Sequence, residues 1–442
     1  MKTLYTISMI FLALVAHAQW TTQGLGFTTN QNIGQIRITS PNNVWVLSTY
    51  TSAGSAGPNS QLFTKTNDGG ATWTPGLIDI GHPTWVLIAL AAIDNNTAWV
   101  AAIDDSGATG GGVWKTTNGG SSWVRYNATG YQDGANFSFI DGMHFFDANN
   151  GISYGDPVGG QFEIYKTSDA GLTWSQITGT ANPSSLLNEY AVGSQQNSCS
   201  AGGSFWFTTS KGNIYRTTDQ GTTWSKFAGP TGLTSFFSAN KQAKMIFKDV
   251  NNGLIYGSLD NSVTFKIWRT SDGGATWDAG SPYTEPYKEM CYIPGTNILV
   301  GTAIVGMAYS TGKSLDNGVT WSQIGTGTYA KLPTFFNAST GWASNSFNSS
   351  TTNGIYKFNL TLGSSKFDIM SNFAVSPNPT NSTLNIQSNT AINSVKIIDI
   401  SGRSTTPTFE NNKIDVSNLA NGIYLIEATT ENGVVREKFI KN

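Results

Sequence analysis

Charge is what this chain has least of. Only 12% of its 442 residues are Asp, Glu, Lys or Arg, with 25 basic residues against 27 acidic ones. Without a basic surplus, nucleic acid is not an expected partner. Cysteine is nearly missing, at Cys199 and Cys291 alone. Neither stands in a CxxC pair or near a histidine, so zinc is not suggested, and no metal or other cofactor is expected. Beyond the N-terminus no apolar run is long enough for a transmembrane helix. What is plentiful is glycine, with 49 residues, and aromatics, at 12%. That balance suits an extracellular β-protein better than a cytosolic α/β enzyme.

The N-terminus agrees with export. Lys2 supplies a short positive region, Ile7–Val15 an apolar core, and Ala16-His17-Ala18 a small-x-small cleavage site. The expected signal peptide is residues 1–18, cut between Ala18 and Gln19. No Cys follows the cut, so a lipoprotein signal is not indicated.

One nine-residue phrase organises the rest. KTNDGGATW at Lys65–Trp73 recurs at Lys115–Trp123, Lys166–Trp174, Arg216–Trp224, Arg269–Trp277 and Lys313–Trp321. Its acid position falls at Asp68, Asn118, Asp169, Asp219, Asp272 and Asp316, in steps of 50, 51, 50, 53 and 44 residues. A fixed period of this size means a repeat architecture. The acid can accept backbone N–H bonds within a turn, and the Gly two positions on supplies positive φ. The closing Trp73, Trp123, Trp174, Trp224, Trp277 and Trp321 open the next strand and can bury a large apolar surface. Asn118 can still accept those bonds. Like carboxylates spread over six copies cannot converge on one site, so they read as structural.

These phrases resemble the Asp-box, or BNR repeat, of sialidases, sortilin-type receptors, xyloglucan-degrading glycosidases and the photosystem II assembly-factor family. The resemblance implies a β-propeller, with each box joining the third and fourth strands of a blade. Between boxes lie strand–turn–strand units such as Gln35–Ser48, Leu87–Ala102, Gly142–Gly155, Met245–Gly257 and Leu332–Ser344. Their NN and NG turns are hairpin signals. With weaker copies at Glu189–Thr209 and Glu289–Val305, the units number seven against six boxes. The seventh stops after Ile355-Tyr356-Lys357-Phe358, while Trp20-Thr21-Thr22-Gln23 resembles the strands that follow a box. The expectation is an all-β, seven-bladed propeller over residues 19–360, closed by Trp20, with a six-bladed ring as the alternative. Cys199 and Cys291 then fall in non-neighbouring blades, which favours two separate thiols over a disulfide.

Residues 361–370 read as a linker. Composition then changes, and alternating apolar residues with Gly/Asn turns over residues 371–442 suggest a small antiparallel β-sandwich. This segment resembles the type A C-terminal sorting domain of the type IX secretion system of Bacteroidetes. The resemblance rests on its PNP, SGR and NGIY and on a basic last strand carrying Lys438 and Lys441. It implies export through the periplasm, removal of the tail by a sortase-like protease, and release or attachment at the cell surface. An ordinary carbohydrate-binding or adhesive sandwich is the alternative.

A sialidase would need three arginines around its substrate's carboxylate. The ring holds Arg37, Arg125, Arg216 and Arg269, two of them at the repeated basic position. A glycosidase needs only two carboxylates. Candidates on the loops at one mouth of the central channel are His82, Asp104, Asp105, Asp133, Asp141, Asp156, Glu189, Asp260, Glu285 and Glu289. Asp141, Glu189 and Glu289 stand out because they enter first strands. His144 reads as a packed residue. The favoured function is a non-catalytic, monomeric binder of a protein or glycan, with a glycoside hydrolase at the channel mouth as the alternative.

Overall fold

A computed structural model describes residues 20–29, 31–51, 60–104, 110–126, 131, 139–193, 197–238, 241–258, 265–305, 308–326, 330–345, 354–359, 374–388, 391–399, 403–430 and 433–442. The predicted signal peptide with Ala18 and Gln19, the predicted linker, and Asp105, Asp133 and Asp260 lie outside these residues. The chain divides into two compact units, Met1–Thr361 and Leu362–Asn442. No helix among the described residues is long and apolar enough to cross a membrane.

The first unit is a β-propeller. Among its described residues are seven antiparallel sheets in chain order, each built inner strand first. The first sheet runs Gln31–Ile38, Val44–Thr51, Leu62–Thr66 and Thr74–Leu77. The inner strands of the next six are Val86–Ala92, Ile140–Phe145, Ser198–Ala201, Lys241–Phe247, Glu289–Tyr292 and Ala330–Asn337. Apart from the third and fourth, inner strands of consecutive sheets lie side by side, and the seventh returns to the first. Between the third and fourth sheets the link is a shared core of Ile152, Tyr154 and Phe162 with Phe205, Phe207 and Tyr215. The seventh sheet takes its fourth strand from the other end of the chain: Trp20–Gln23 pairs with Ile355–Asn359, Trp20 opposite Phe358. Pairing the two ends leaves no open blade edge at the seam.

The fifth sheet departs from the pattern. Its fourth strand shrinks to Ser281–Pro282. Asp278, just past the box, accepts from the backbone N–H of Arg269 and of Gly280, turning the chain where its counterparts extend. A short extra strand, Phe237–Ser238, pairs with the start of that sheet's inner strand.

The repeated phrase makes one hydrogen-bonded turn each time. In the first copy the Thr66 hydroxyl donates to Asp68 Oδ1 at 2.7 Å and accepts from Gly70 N–H at 2.8 Å. Asp68 also accepts from the amide and the hydroxyl of Thr72. Those bonds, Thr72's first, hold the Asp68 carboxyl far below the usual carboxylate range. At Asp272 burial pushes upward, but the bonds from Thr276 and Thr270 outweigh it and leave the group at about 2. Asn118 keeps the geometry, its amide donating to Ser122 Oγ. Gly70 and its counterparts adopt positive φ, +88° at Gly70 itself.

Staples join the sheets on this box face. Buried Trp45, Trp99 and Trp206 donate their indole N–H to Asp94, Ala170 and Gly273 carbonyls of the following sheet. The repeated basic residue does the same: Lys115 reaches Ala170 O, Arg216 reaches Gly273 O and Arg269 reaches Asn317 O. Lys357 of the seventh sheet donates to Gly69 O at 2.7 Å, which carries the series across the seam to the first sheet. Of the box tryptophans, Trp123 and Trp224 are buried, whereas Trp73, Trp174, Trp277 and Trp321 are half-buried between sheets.

The second unit is a two-sheet sandwich. One sheet holds Ala374–Ser376, Thr383–Gln387, Lys413–Asp415 and Phe409–Glu410. The other holds Ser404–Thr405, Ile392–Asp399, Gly422–Thr430 and Gly433–Lys441. Val375, Leu384, Ile386, Val395, Ile397, Ile414, Ile426 and Phe439 fill the space between them.

Candidate functional site

The mouth opposite the boxes is built from loops that enter inner strands and from turns joining second and third strands. Its central wall is the ring of inner strands, which present a backbone edge except where Phe237–Ser238 pairs with the fifth. Between the first two sheets side chains cover that edge. Gln35 donates to Ile88 O at 2.7 Å and accepts from Leu90 N–H, and Arg37 Nε donates to Leu90 O at 2.8 Å. Burial lowers Arg37 to about 10. Arg125 bonds Gly111 O, while Arg216 and Arg269 serve the box face. The four arginines therefore do not converge, and a sialidase-type carboxylate clamp is not assembled from them.

Each of the three singled-out carboxylates is already engaged. Glu189 does not enter an inner strand as expected; it lies in the loop ahead of Ser198–Ala201. There it is buried and accepts from Thr209 Oγ1 at 2.5 Å, Asn213 Nδ2 at 2.7 Å and Leu186 N–H at 2.7 Å. Glu289 opens the sixth inner strand and forms an ion pair at 2.6 Å with Lys244 of the fifth. Asp141 sits in the third inner strand and shares a hydrogen bond with Asp156, which also accepts from Ala191 N–H at 3.1 Å. Burial, and then the neighbouring Asp156 charge, push the Asp141 carboxyl well above its ordinary range. Its Oδ2 is buried with no hydrogen-bond partner. Gly193 packs so closely on Asp141 that a Cβ there would lie 2.6 Å from the Asp141 carbonyl oxygen. Both carboxylates are half-buried under the loop that carries Ala191 and Gly193, and they are in hydrogen-bond contact. Glycosidase carboxylates stand about 5–9 Å apart across an open cleft.

The remaining mouth residues are dispersed. His82 is exposed and stacks on Trp85 at 4.1 Å. His144 stacks on Phe205, and burial together with the Arg37 charge lowers it to about 3, so it is neutral. Asp104 and Glu285 are half-buried. Cys199 and Cys291 are separate thiols on the fourth and sixth inner strands, and burial pushes both well up. No three His, Cys, Asp or Glu side chains among the described residues come together as metal ligands. Sequence reasoning missed buried Glu163, which accepts from the Tyr165 hydroxyl at 2.5 Å and from Tyr131 N–H. It lies within the FEIY strand run, where its burial has no local signal.

One loop at this mouth exposes apolar side chains. The Glu189 loop crosses the second-to-third-strand turn of the fourth sheet, with Ser210 N–H bonded to Tyr190 O and Ala191 bridged to Thr209. On it Leu186 and Tyr190 are exposed, and Leu187 is 87% exposed. Lys211 stands exposed on the adjoining turn.

In the sandwich the PNP segment clasps the last strand. Asn378 donates to Lys438 O at 2.9 Å and accepts from Ile440 N–H at 3.0 Å, and Thr380 N–H donates to Ile440 O. Both prolines follow cis bonds. Arg403 of the SGR pairs with Asp399, and Tyr424 of the NGIY stacks on Phe439. Lys438 is exposed, whereas Lys441 is buried. Residues 374–442 match the family described as a secretion system C-terminal sorting domain. This is the tail of an exported protein. It assigns the chain to the type IX route and to secretion or attachment at the cell surface.

No curated protein matches the chain by sequence. Solved structures show the fold of the ring. A structure of YCF48 bound to D1 peptide is 16% identical at a TM-score of 0.52, covering 78% of this chain and 98% of its own. YCF48 from Cyanidioschyzon merolae is 15% identical at 0.50, covering 77% and 98%. A GH74 xyloglucanase from Xanthomonas campestris is 10% identical at 0.48, covering 92% of this chain and 59% of its own.

Proposed function

We propose that the ring is a non-catalytic recognition module that binds a protein segment at the mouth between its third and fourth sheets. The tail would carry it out and then be removed by a sortase-like protease. The observation that carries this reading is the state of Glu189. A carboxylate held by three donors is poor general acid–base machinery but a firm anchor for a loop. That loop presents Leu186, Leu187 and Tyr190 to solvent. A preordered apolar tip loses little entropy on binding. The two leucines match apolar side chains, whereas a sugar ring would have only Tyr190 of this loop to stack on. The D1 peptide held by YCF48 belongs to that protein's own function, and is compatible with a propeller of this kind receiving a peptide.

The test screens the full chain against peptide arrays, glycan arrays and a polysaccharide hydrolysis panel. Peptide capture should weaken about tenfold or more in Leu186→Asp/Leu187→Asp, with an unchanged melting temperature. Hydrolysis that disappears in Glu189→Gln or Glu289→Gln would overturn the reading. Binding confined to glycans would overturn the choice of a protein ligand.

A further inference from the structure

We infer that the outward face of the tail's larger sheet is the surface the export machinery reads, through an apolar stripe of Ile398, Ile423, Leu425 and Ile440 bordered by Lys438. This rests on the sorting assignment and names the surface through which sorting would act. A sheet packed on one side alternates apolar-in with polar-out. Here the inward positions are apolar as expected, with Val395, Ile397, Ile426, Ala428 and Phe439 buried. The outward positions break the rule. Ile423 lies directly opposite Ile440, and the two are 50% and 36% exposed. Beside them Ile398 faces Leu425, and Leu425 faces Lys438. Lys396 faces Glu427 across the same two inner strands, and their charges offset. The face is thus a three-strand apolar patch with a net positive margin.

Two apolar faces on one small sheet add nothing to folding once the inner face is covered, and an outward cluster of this kind marks an interaction site. Its complement is a protein surface with an apolar ridge rimmed by carboxylates. A component of the secretion apparatus is the occupant the sorting match favours. The PNP clasp fixes the last strand and so holds Lys438 and Ile440 in register with the stripe.

The experiment expresses the full chain in a cell with an active type IX system and compares extracellular with periplasmic protein. Removing residues 374–442 is the reference. If that deletion is still exported, the sorting assignment fails. If the deletion is retained, Ile423→Ser/Ile440→Ser should also be retained, with extracellular protein falling about tenfold or more. Lys438→Glu, which leaves the apolar residues in place, should lower export several-fold by facing carboxylates with a carboxylate. Both purified variants should melt as the parent does. Normal export of the double variant alongside a retained deletion would overturn the docking face alone. A shift in melting temperature or in oligomeric state would assign the stripe to the chain itself or to a second copy, and would overturn it too.

Discussion

Replacing Asp141 with Asn should make the ring more stable at neutral pH, and increasingly so as pH rises. In the folded protein Asp141 holds a proton that the unfolded chain would release, because burial and Asp156 raise its pKa. The folded state therefore binds more protons than the unfolded one, and stability falls as pH climbs from the ordinary carboxylate range towards the raised value. Each pH unit in that window costs about 1.4 kcal/mol. Asparagine supplies the N–H donor permanently, so Asp156 keeps its hydrogen bond and the cost disappears. The lowered box carboxylates, such as Asp272, lose their contribution only when pH falls through their depressed values, so they stay constant across this window. The assay is melting temperature by circular dichroism for both proteins from about pH 5 to 8, where about 1 kcal/mol corresponds to roughly 2 °C in a domain of this size. The advantage of Asp141→Asn should widen with pH. A constant offset, or a variant that loses ground as pH rises, would refute the shared proton.

Two further outcomes follow from the packing. Trp20→Ala removes a buried ring wedged against Phe335 and Phe358 and its bond to Thr311 Oγ1, and should cost about 3–5 kcal/mol in urea unfolding; a loss below about 1 kcal/mol would mean the seam adds little. Lys244→Met removes the cation paired with Glu289 and should cost about 1–3 kcal/mol, much of it recovered in Lys244→Met/Glu289→Met; no recovery would show that the two residues act independently.

Local chemistry was legible in the sequence, and distant pairing only where a strand repeated a local pattern. The boxes could be read because each is closed within nine residues, Thr66 to Asp68 to Thr72. The join at Trp20 was legible because its strand looks like the others that follow a box. Lys357 stands where Lys65 and its counterparts stand, but without an Asp or Gly after it nothing marked it as a seventh copy. The candidate carboxylates were found by position along the chain, yet their states depend on partners from elsewhere. Glu289 meets Lys244 of another sheet, Glu189 meets the Thr209–Asn213 turn, and Asp141 meets Asp156 across a hairpin. In the tail the NGIY was visible as a motif, but the outward stripe appears only once Ile423 is set opposite Ile440.

Because Trp20–Gln23 pairs with Ile355–Asn359, the part made early must wait for the part made late. Until then the chain is a crescent with two bare ends, each able to capture a stranger's strand. Export of a folded ring therefore has to wait for the last blade's third strand, and a strand-binding chaperone would act before that point.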